Sequence, residues 1–212
     1  MIKAVLFDVG GVLATSPFGA IVELERQLGL PEHFFFRAIV KGKAFKQLED
    51  GTLTLEEFNG AFERECDGRV SGNAFLQHLG RSLRPRPAFR DAVLQCKAQG
   101  YRVGIITNNW AGTLSSLLAT FPADTFDVVV ESYRVKQRKP HPAIYTEAHK
   151  RLQELDATIA PAEIVFLDDI PANVRAARAL GWHALLVPRT DAESALAELA
   201  ALLRAHKPAA AL

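Results

Sequence analysis

Five short apolar runs recur along the chain, and most end in polar or charged residues. They are Lys3–Leu13 (KAVLFDVGGVL), Tyr101–Thr107, Phe126–Glu131, Glu163–Asp168 and His183–Val187. The apolar positions are continuous rather than alternating, which is the pattern of strands covered on both faces. Stretches with helical spacing separate them. Pro85–Gln99 places Phe89, Val93 and Cys96 on one face and stops at Gly100. Pro140–Leu155 and Pro171–Leu180 each open with a proline near the first turn, and Gly181 ends the second. Strand and helix in alternation predict an α/β fold with a Rossmann-like parallel sheet.

The block from Thr15 to Arg84 breaks this alternation, because it contains no strand-like run. Helical spacing covers Gly19–Leu28, Pro31–Val40 and Gly72–Leu79, and Thr54-Leu55-Glu56-Glu57 is a capping box that opens another helix, to about Cys66. The expected organisation is an α/β core of residues 1–14 and 85–205, an inserted all-helical cap of 15–84, and a loose tail of 206–212. Hinges are expected near Ala14–Pro17 and Leu83–Pro87, where the insert leaves and rejoins the core.

Composition narrows the class. The 212 residues are 49% apolar and 23% charged, ordinary for a globular chain with a sizeable core. A net charge of +1 gives no field directed at nucleic acid or a membrane surface, so neither is expected as a partner. Two cysteines, Cys66 and Cys96, are too few for a disulfide framework or a zinc site and read as buried spacers. With no secretory pattern at the start and no apolar stretch near ~20 residues, the expectation is a reducing, cytoplasmic setting.

The candidate chemistry lies at the ends of the runs. The first run delivers Asp8 to its tip and then turns through Gly10 and Gly11. In open parallel sheets, ligands bind beyond the carboxyl ends of the strands. Thr107-Asn108-Asn109, Arg138-Lys139-Pro140 and Asp168-Asp169 fall at or after other strand ends. Carboxylates, a hydroxyl, amides and an ammonium along one sheet edge suit phosphoryl transfer to a carboxylate nucleophile. Asp8 would attack phosphorus, Thr107 would hold phosphate oxygens, and Lys139 would neutralise charge. Asp168 and Asp169 would help hold Mg²⁺, a hard ion that takes oxygen ligands. Asp8, Asp168 and Asp169 carry three negative charges against one positive charge on Lys139. A phosphate dianion would be repelled without a divalent ion.

Four segments, FDVGGVL (7–13), IITNN (105–109), RKPHPAIY (138–145) and FLDDIPANV (166–174), resemble the motifs of the haloacid dehalogenase-like hydrolase superfamily, in the same order. The insert resembles that superfamily's C1-type cap. The nearest resemblance within it is to the group containing the N-terminal phosphatase domain of soluble epoxide hydrolase and bacterial α-glucose-1-phosphatase. The resemblance implies a Mg²⁺-dependent phosphatase of small organic phosphate monoesters, sugar phosphates among them, working through an aspartyl phosphate. It implies that Asp8 is nucleophile and metal ligand, that the Gly10 carbonyl and Asp169 are further metal ligands, and that Thr107 and Asn108 bind phosphate. Asp168 would orient either metal-bound water or Lys139. The implied partner is a small phosphorylated molecule.

One position departs from the superfamily's phosphatase pattern. The acid/base Asp that follows the nucleophile by two residues is replaced here by Gly10. Such a group contributes roughly 10²–10⁴-fold. Its loss implies a substrate with a less basic leaving group or a surrogate proton donor. Glu49 and Asp50 read as solvated cap residues, with a cap carboxylate as one candidate surrogate. His141, His149 and His183 read as surface or packing residues, and Phe34, Phe35 and Phe36 as cap core. Asn109 is open between turn former and ligand contact, and Asn173 between helix-turn residue and supporting role. Two rival readings are a carbon–halogen or carbon–phosphorus hydrolase of the same superfamily, with Lys41, Lys43 and Lys46 as formal Schiff-base candidates, and a phosphate-binding module with negligible turnover.

Overall fold

A computed structural model describes residues 1–206. The expected tail, apart from His206, lies outside the described residues. The strands are β1 (Ala4–Phe7), β2 (Arg102–Thr107), β3 (Val128–Glu131), β4 (Ile164–Asp168) and β5 (His183–Leu186). They form one parallel sheet in the order β3-β2-β1-β4-β5. The helices are α1 (Phe18–Gln27), α2 (Phe34–Lys41), α3 (Ala44–Glu49), α4 (Leu55–Glu65), α5 (Gly72–Ser82), α6 (Pro87–Ala98), α7 (Ser115–Leu118), α8 (Ser132–Val135), α9 (Pro142–Leu155), α10 (Pro171–Ala179) and α11 (Ala192–Ala205).

The continuous apolar strands are covered on both faces, as their pattern predicts. In β1, Val5 and Phe7 join Phe89 and Val93 of α6 and Leu199 of α11 on one face. Ala4 and Leu6 join Ile144 and Tyr145 of α9 and Val174 of α10 on the other. The register aligns the strand tips, since Phe7 pairs with Ile105 on one side and Leu167 on the other. The next step along β1 therefore sets Asp8 level with Ile106 and Asp168. Its N–H still donates to the Leu167 carbonyl at 2.9 Å.

Helices α1–α5 have a separate apolar cluster. Its centre is a set of phenylalanines in which the Phe62 and Phe75 rings lie 4.6 Å apart and Phe58 and Phe62 5.0 Å apart. Such pairs add to plain area burial. Phe35 belongs to this core, whereas Phe36 is exposed and Phe34 half-buried. The capping box is formed: Glu57 N–H donates to Thr54 Oγ1 at 3.2 Å and Thr54 N–H donates to Glu57 Oε2 at 2.8 Å. Cys66 and Cys96 are free and buried, and burial pushes both thiols up to about 12.

Helices α3, α7, α8 and α11 were not among the expected elements. Helix α3 has only six residues, too few to show a period. Its first N–H groups are capped from a distance, with Lys43 N–H donating to Glu65 Oε1 at 2.8 Å and Ala44 N–H at 3.1 Å. Helix α11 had a local signal: Asp191 Oδ1 accepts from Ser194 N–H at 3.2 Å. The two segments joining insert to core pair with each other. Thr15 N–H donates to the Arg84 carbonyl at 2.8 Å, and Arg86 N–H to the Leu13 carbonyl at 2.9 Å.

Candidate active site

Asp8 ends β1 and begins a tight turn. Gly11 has φ +82°, and a Cβ there would lie 2.4 Å from Asp169 Oδ2. Only glycine combines that backbone with so close an approach. Gly10 differs: its backbone is not left-handed, and an added Cβ would meet nothing nearer than Pro17 Cδ at 3.6 Å.

Lys139 is buried, not a surface lysine. Its ammonium donates to Asp8 Oδ1 at 2.7 Å, Asp168 Oδ2 at 2.7 Å and the Ile106 carbonyl at 2.9 Å. All three donors are thereby engaged. Burial alone would lower its proton affinity, but the Asp168 and Asp8 carboxylates outweigh it and hold the amine above its ordinary value. Asn108 fixes the lysine from behind. Its Oδ1 accepts from Lys139 N–H at 2.8 Å, and its Nδ2 donates to the Lys139 carbonyl at 3.0 Å. The Asn108 side chain is thus a clamp on Lys139 rather than a free phosphate contact.

The neighbouring carboxylates Asp168 and Asp169 have opposite environments. Asp168 accepts from Ile170 N–H at 2.8 Å, from Asn173 Nδ2 at 3.0 and 3.1 Å, and from Lys139. Asn173 therefore has a supporting role, and its own helix is anchored to Asp168. Among the described residues, no neighbouring side chain or N–H donates to Asp169, and its nearest cation is Arg189, with Nε at 3.7 Å. Burial and then the Asp168 charge push Asp169 up to about 6. Asp8 is pushed up to about 7, by burial first, against the pull of Lys139. Oxygens of Asp8, Asp168 and Asp169 lie within 4.8 Å of one another. One buried ammonium and a half-exposed guanidinium are too little positive charge for three buried carboxylates.

A cavity of about 420 Å³ opens above these groups. Asp8, Gly10, Thr107, Asn108, Lys139 and Asp169 line its floor. Thr107 Oγ1 has no hydrogen-bond partner within the described residues and is not sealed from the cavity. Phe18, Ile21, Ile39, Phe45 and Leu79 of the insert form an apolar wall with Trp110 of the core. Asn109 also lines the cavity. Its N–H donates to Ser132 Oγ at 3.0 Å and its Nδ2 to Glu131 Oε1 at 2.9 Å, while its Oδ1 is buried without a partner.

Glu49 corrects the sequence-based expectation of a solvated residue. It is buried and lines this cavity. Its Oε2 accepts from Arg138 Nε at 2.7 Å, and its carbonyl accepts from Ser132 Oγ at 2.5 Å. Asp50 turns away and binds the Thr52 hydroxyl at 2.6 Å. Arg138, Arg189 and Trp110 were not singled out from sequence; Arg138 alone had a signal, its place beside Lys139. The histidines are structural: His141 accepts from Ala143 N–H at 3.3 Å, and His149 Nε2 meets the Ile159 carbonyl at 2.8 Å. Lys41, Lys43 and Lys46 are exposed and do not line the cavity.

A strand-tip carboxylate, a buried lysine and an acidic pair under a helical insert define a hydrolase site of one family. The sequence pattern of that family, the haloacid dehalogenase-like hydrolases, matches residues 2–181, and the chain belongs to it. It is 34% identical over 212 residues to acyl-CoA dehydrogenase family member 10 of Mus musculus, covering 95% of this chain and 19% of that protein. It is 31% identical to bifunctional epoxide hydrolase 2 of Sus scrofa, covering 93% of this chain and 38% of that one. The chain thus spans well under half the length of these relatives. Hexitol phosphatase B of Escherichia coli K12 is 27% identical, with 91% and 86% covered. A family enzyme from Bacteroides thetaiotaomicron, solved with magnesium and inorganic phosphate, matches with TM-score 0.66 and 26% identity over 88% of this chain and 94% of that one.

Proposed function

We propose that the protein is a Mg²⁺-dependent phosphatase of small organic phosphate monoesters that works through a phospho-Asp8 intermediate. Residues 15–84 act as its cap, over a core of 1–14 and 85–205. The observation that carries this reading is the unequal pair at the tip of β4. Asp168 is saturated by protein donors, whereas Asp169, beside Asp8, is buried with only its own backbone N–H and the half-exposed Arg189, Nε at 3.7 Å, to offset its charge. A buried carboxylate so weakly partnered is costly, and a divalent cation is the partner that its hard oxygens suit. Asp8, Asp169 and the Gly10 carbonyl would hold Mg²⁺, with Asp168 beneath them. When bound, the ion neutralises the carboxylates and polarises the phosphoryl group.

The protein's own groups perform the rest. Lys139 favours the ionised form of Asp8 and aims it, since its ammonium spans Asp8 and Asp168. Asp8 attacks phosphorus in line with the departing oxygen. Thr107 Oγ1 and the Asn108 N–H receive the phosphoryl oxygens. Asp168 and Asn173 hold Lys139 and the β4 tip in one geometry. The apolar wall excludes water and offers an organic leaving group dispersion contacts. The phosphatase relative and the neighbour holding magnesium and phosphate support this reading. Carbon–halogen hydrolysis gives the weakly partnered Asp169 nothing to do. Carbon–phosphorus hydrolysis through a Schiff base lacks a lysine in the cavity wall other than Lys139, which is already paired.

The test is phosphate release from p-nitrophenyl phosphate. Release is expected with Mg²⁺ and abolished by chelation. Asp8→Asn keeps the shape, removes the attacking charge and is expected to lower turnover by about 10³-fold or more. More than about a tenth of activity remaining in Asp8→Asn, or full activity after exhaustive chelation, would overturn the mechanism.

A further inference from the structure

The position that should carry the acid/base carboxyl is Gly10, and nothing in the strand-tip cluster replaces it. The titratable groups lining the cavity are Asp8, Asp169, Lys139, Arg138 and Glu49. Asp8 is the nucleophile in the reading above, and Asp169 belongs with the metal. All three N–H bonds of the Lys139 ammonium are engaged. Arg138 does not release a proton in proteins. Glu49 is left.

Its geometry fits the task. Glu49 ends α3, and three contacts fasten that helix end to the core. The Ser132 hydroxyl donates to the Glu49 carbonyl, Lys136 Nζ donates to the Gly51 carbonyl, and Arg138 grips Glu49 Oε2 through Nε at 2.7 Å and Nη2 at 2.5 Å. The second oxygen, Oε1, has no partner within the described residues. The residue it belongs to lines the cavity. One oxygen is therefore held by Arg138 and the other is free to act.

Resting on the phosphatase reading, we infer that Glu49 reaches across from the insert as the surrogate general acid and base. The Glu49 carboxylic proton passes to the leaving oxygen as the Asp8–phosphorus bond forms and the phosphorus–oxygen ester bond breaks, releasing an alcohol. The Glu49 carboxylate then takes a proton from water as the water oxygen attacks phosphorus and the Asp8–phosphorus bond breaks. Inorganic phosphate leaves, and Asp8 and Glu49 return to their starting forms. The groups facing Glu49 are Arg138 and Lys139 from the core, Asp50 beside it, and Ser132 and Lys136 at α8, with Asp8 and Asp169 across the cavity. Burial, the largest influence, raises the Glu49 carboxyl above its ordinary value, against the opposing pull of Arg138. A carboxyl held in that direction retains a proton to give.

The experiment compares wild type, Glu49→Gln, Glu49→Asp and the double variant Gly10→Asp/Glu49→Gln on two esters. One is p-nitrophenyl phosphate, whose leaving group departs without a proton; the other is a simple alkyl phosphate, whose leaving group needs one. Glu49→Gln is expected to lower kcat on the alkyl ester by about 10²-fold and to remove the limb of its pH profile that reports the acid. The first-turnover release of nitrophenol should change by less than about threefold, since no proton is required there. Glu49→Asp should lose less than Glu49→Gln, because it keeps a carboxyl. The double variant should recover at least about tenfold on the alkyl ester, from an acid placed on the core where the backbone has room. Equal losses on both esters, no loss on either, or equal losses in Glu49→Gln and Glu49→Asp would each overturn the role of Glu49 while leaving the phosphatase reading intact. A wild type without Asp8-dependent phosphate release would overturn both.

Discussion

The two halves of the cavity are built on opposite principles. On the strand-tip half, the groups that fix the geometry are saturated, while Thr107 Oγ1 and Asp169 are left for a ligand-sized space. Lys139 has three acceptors, Asp168 accepts from three different residues, and Asn108 clamps the lysine backbone in both directions. On the insert half, Phe18, Ile21, Ile39, Phe45 and Leu79 present hydrocarbon, with Glu49 as the acidic side chain among them. Charges fixed in advance need little reorganisation when a reaction moves charge. They also act more strongly where water is excluded. The floor supplies aim and charge, and the wall supplies the medium in which that charge is effective. Neither half makes a site alone.

The largest expected effect separates the two carboxylates of the floor. Asp169→Ala is expected to weaken Mg²⁺ binding by more than about 100-fold, because on the proposed reading it deletes a direct ligand. Asp168→Ala should cost about 10–100-fold, because it acts through Lys139 and the position of its neighbours. Isothermal titration of the folded variants with Mg²⁺ reads both. The opposite order would exchange the roles assigned to the pair.

A smaller effect concerns pH in the metal-free protein. Asp8 is raised from 3.8 to about 7 and Asp169 from 3.8 to about 6. Between roughly pH 4 and 7 the folded state therefore binds more protons than the unfolded state at these sites. Their stabilising contribution is full below about pH 4 and is lost as pH rises through about 7. Asp127, Asp156 and Glu163 are lowered instead, so their contributions are lost on acidification, below the window of interest. Thermal unfolding in chelator should thus show falling stability from about pH 5 to about pH 8, and added Mg²⁺ should stabilise most at the upper end. A metal-free profile that rises across that range would show that the strand-tip cluster is better compensated than its geometry indicates.

The smallest effect lies in the insert. Thr54→Ala removes half of the capping box at α4, away from the cavity. It should cost about 1 kcal/mol in urea unfolding while leaving turnover within about twofold. A large loss of turnover would mean that insert stability and catalysis are coupled more tightly than the division of labour between wall and floor implies.

Most of the floor was legible in the chain because its chemistry sits at strand ends. A continuous apolar run marks a buried strand, and the first polar residue after it falls at the tip. Asp8, Thr107 and Asp168-Asp169 were visible in this way, and Lys139 from its place before a helix-opening proline. The pairs were not, and the unequal roles of Asp168 and Asp169 came only from the family resemblance. Nothing local distinguishes Asp168 from Asp169; the difference arises because Asn173 and Lys139 converge on one and neither reaches the other. The wall was less legible still. Helix α3 is shorter than two turns, and its cap comes from Glu65, about twenty residues away. Glu49 therefore read as a solvated surface residue.

The sequence by itself determined the alternation of strands and helices, the apolar faces, the capping box at Thr54 and the order of polar groups along the sheet edge. These follow from period, turn chemistry and strand ends, which are properties of neighbouring residues. Only the tertiary structure decided that Asp168 is satisfied while Asp169 has only Arg189 nearby, that Asn108 clamps Lys139, and that Glu49 lines the cavity with one oxygen held by Arg138 and the other unpaired. Those outcomes depend on which distant groups meet in a low-dielectric interior. There, a hydrogen bond made or missed decides whether a carboxylate is a scaffold, a ligand or an acid.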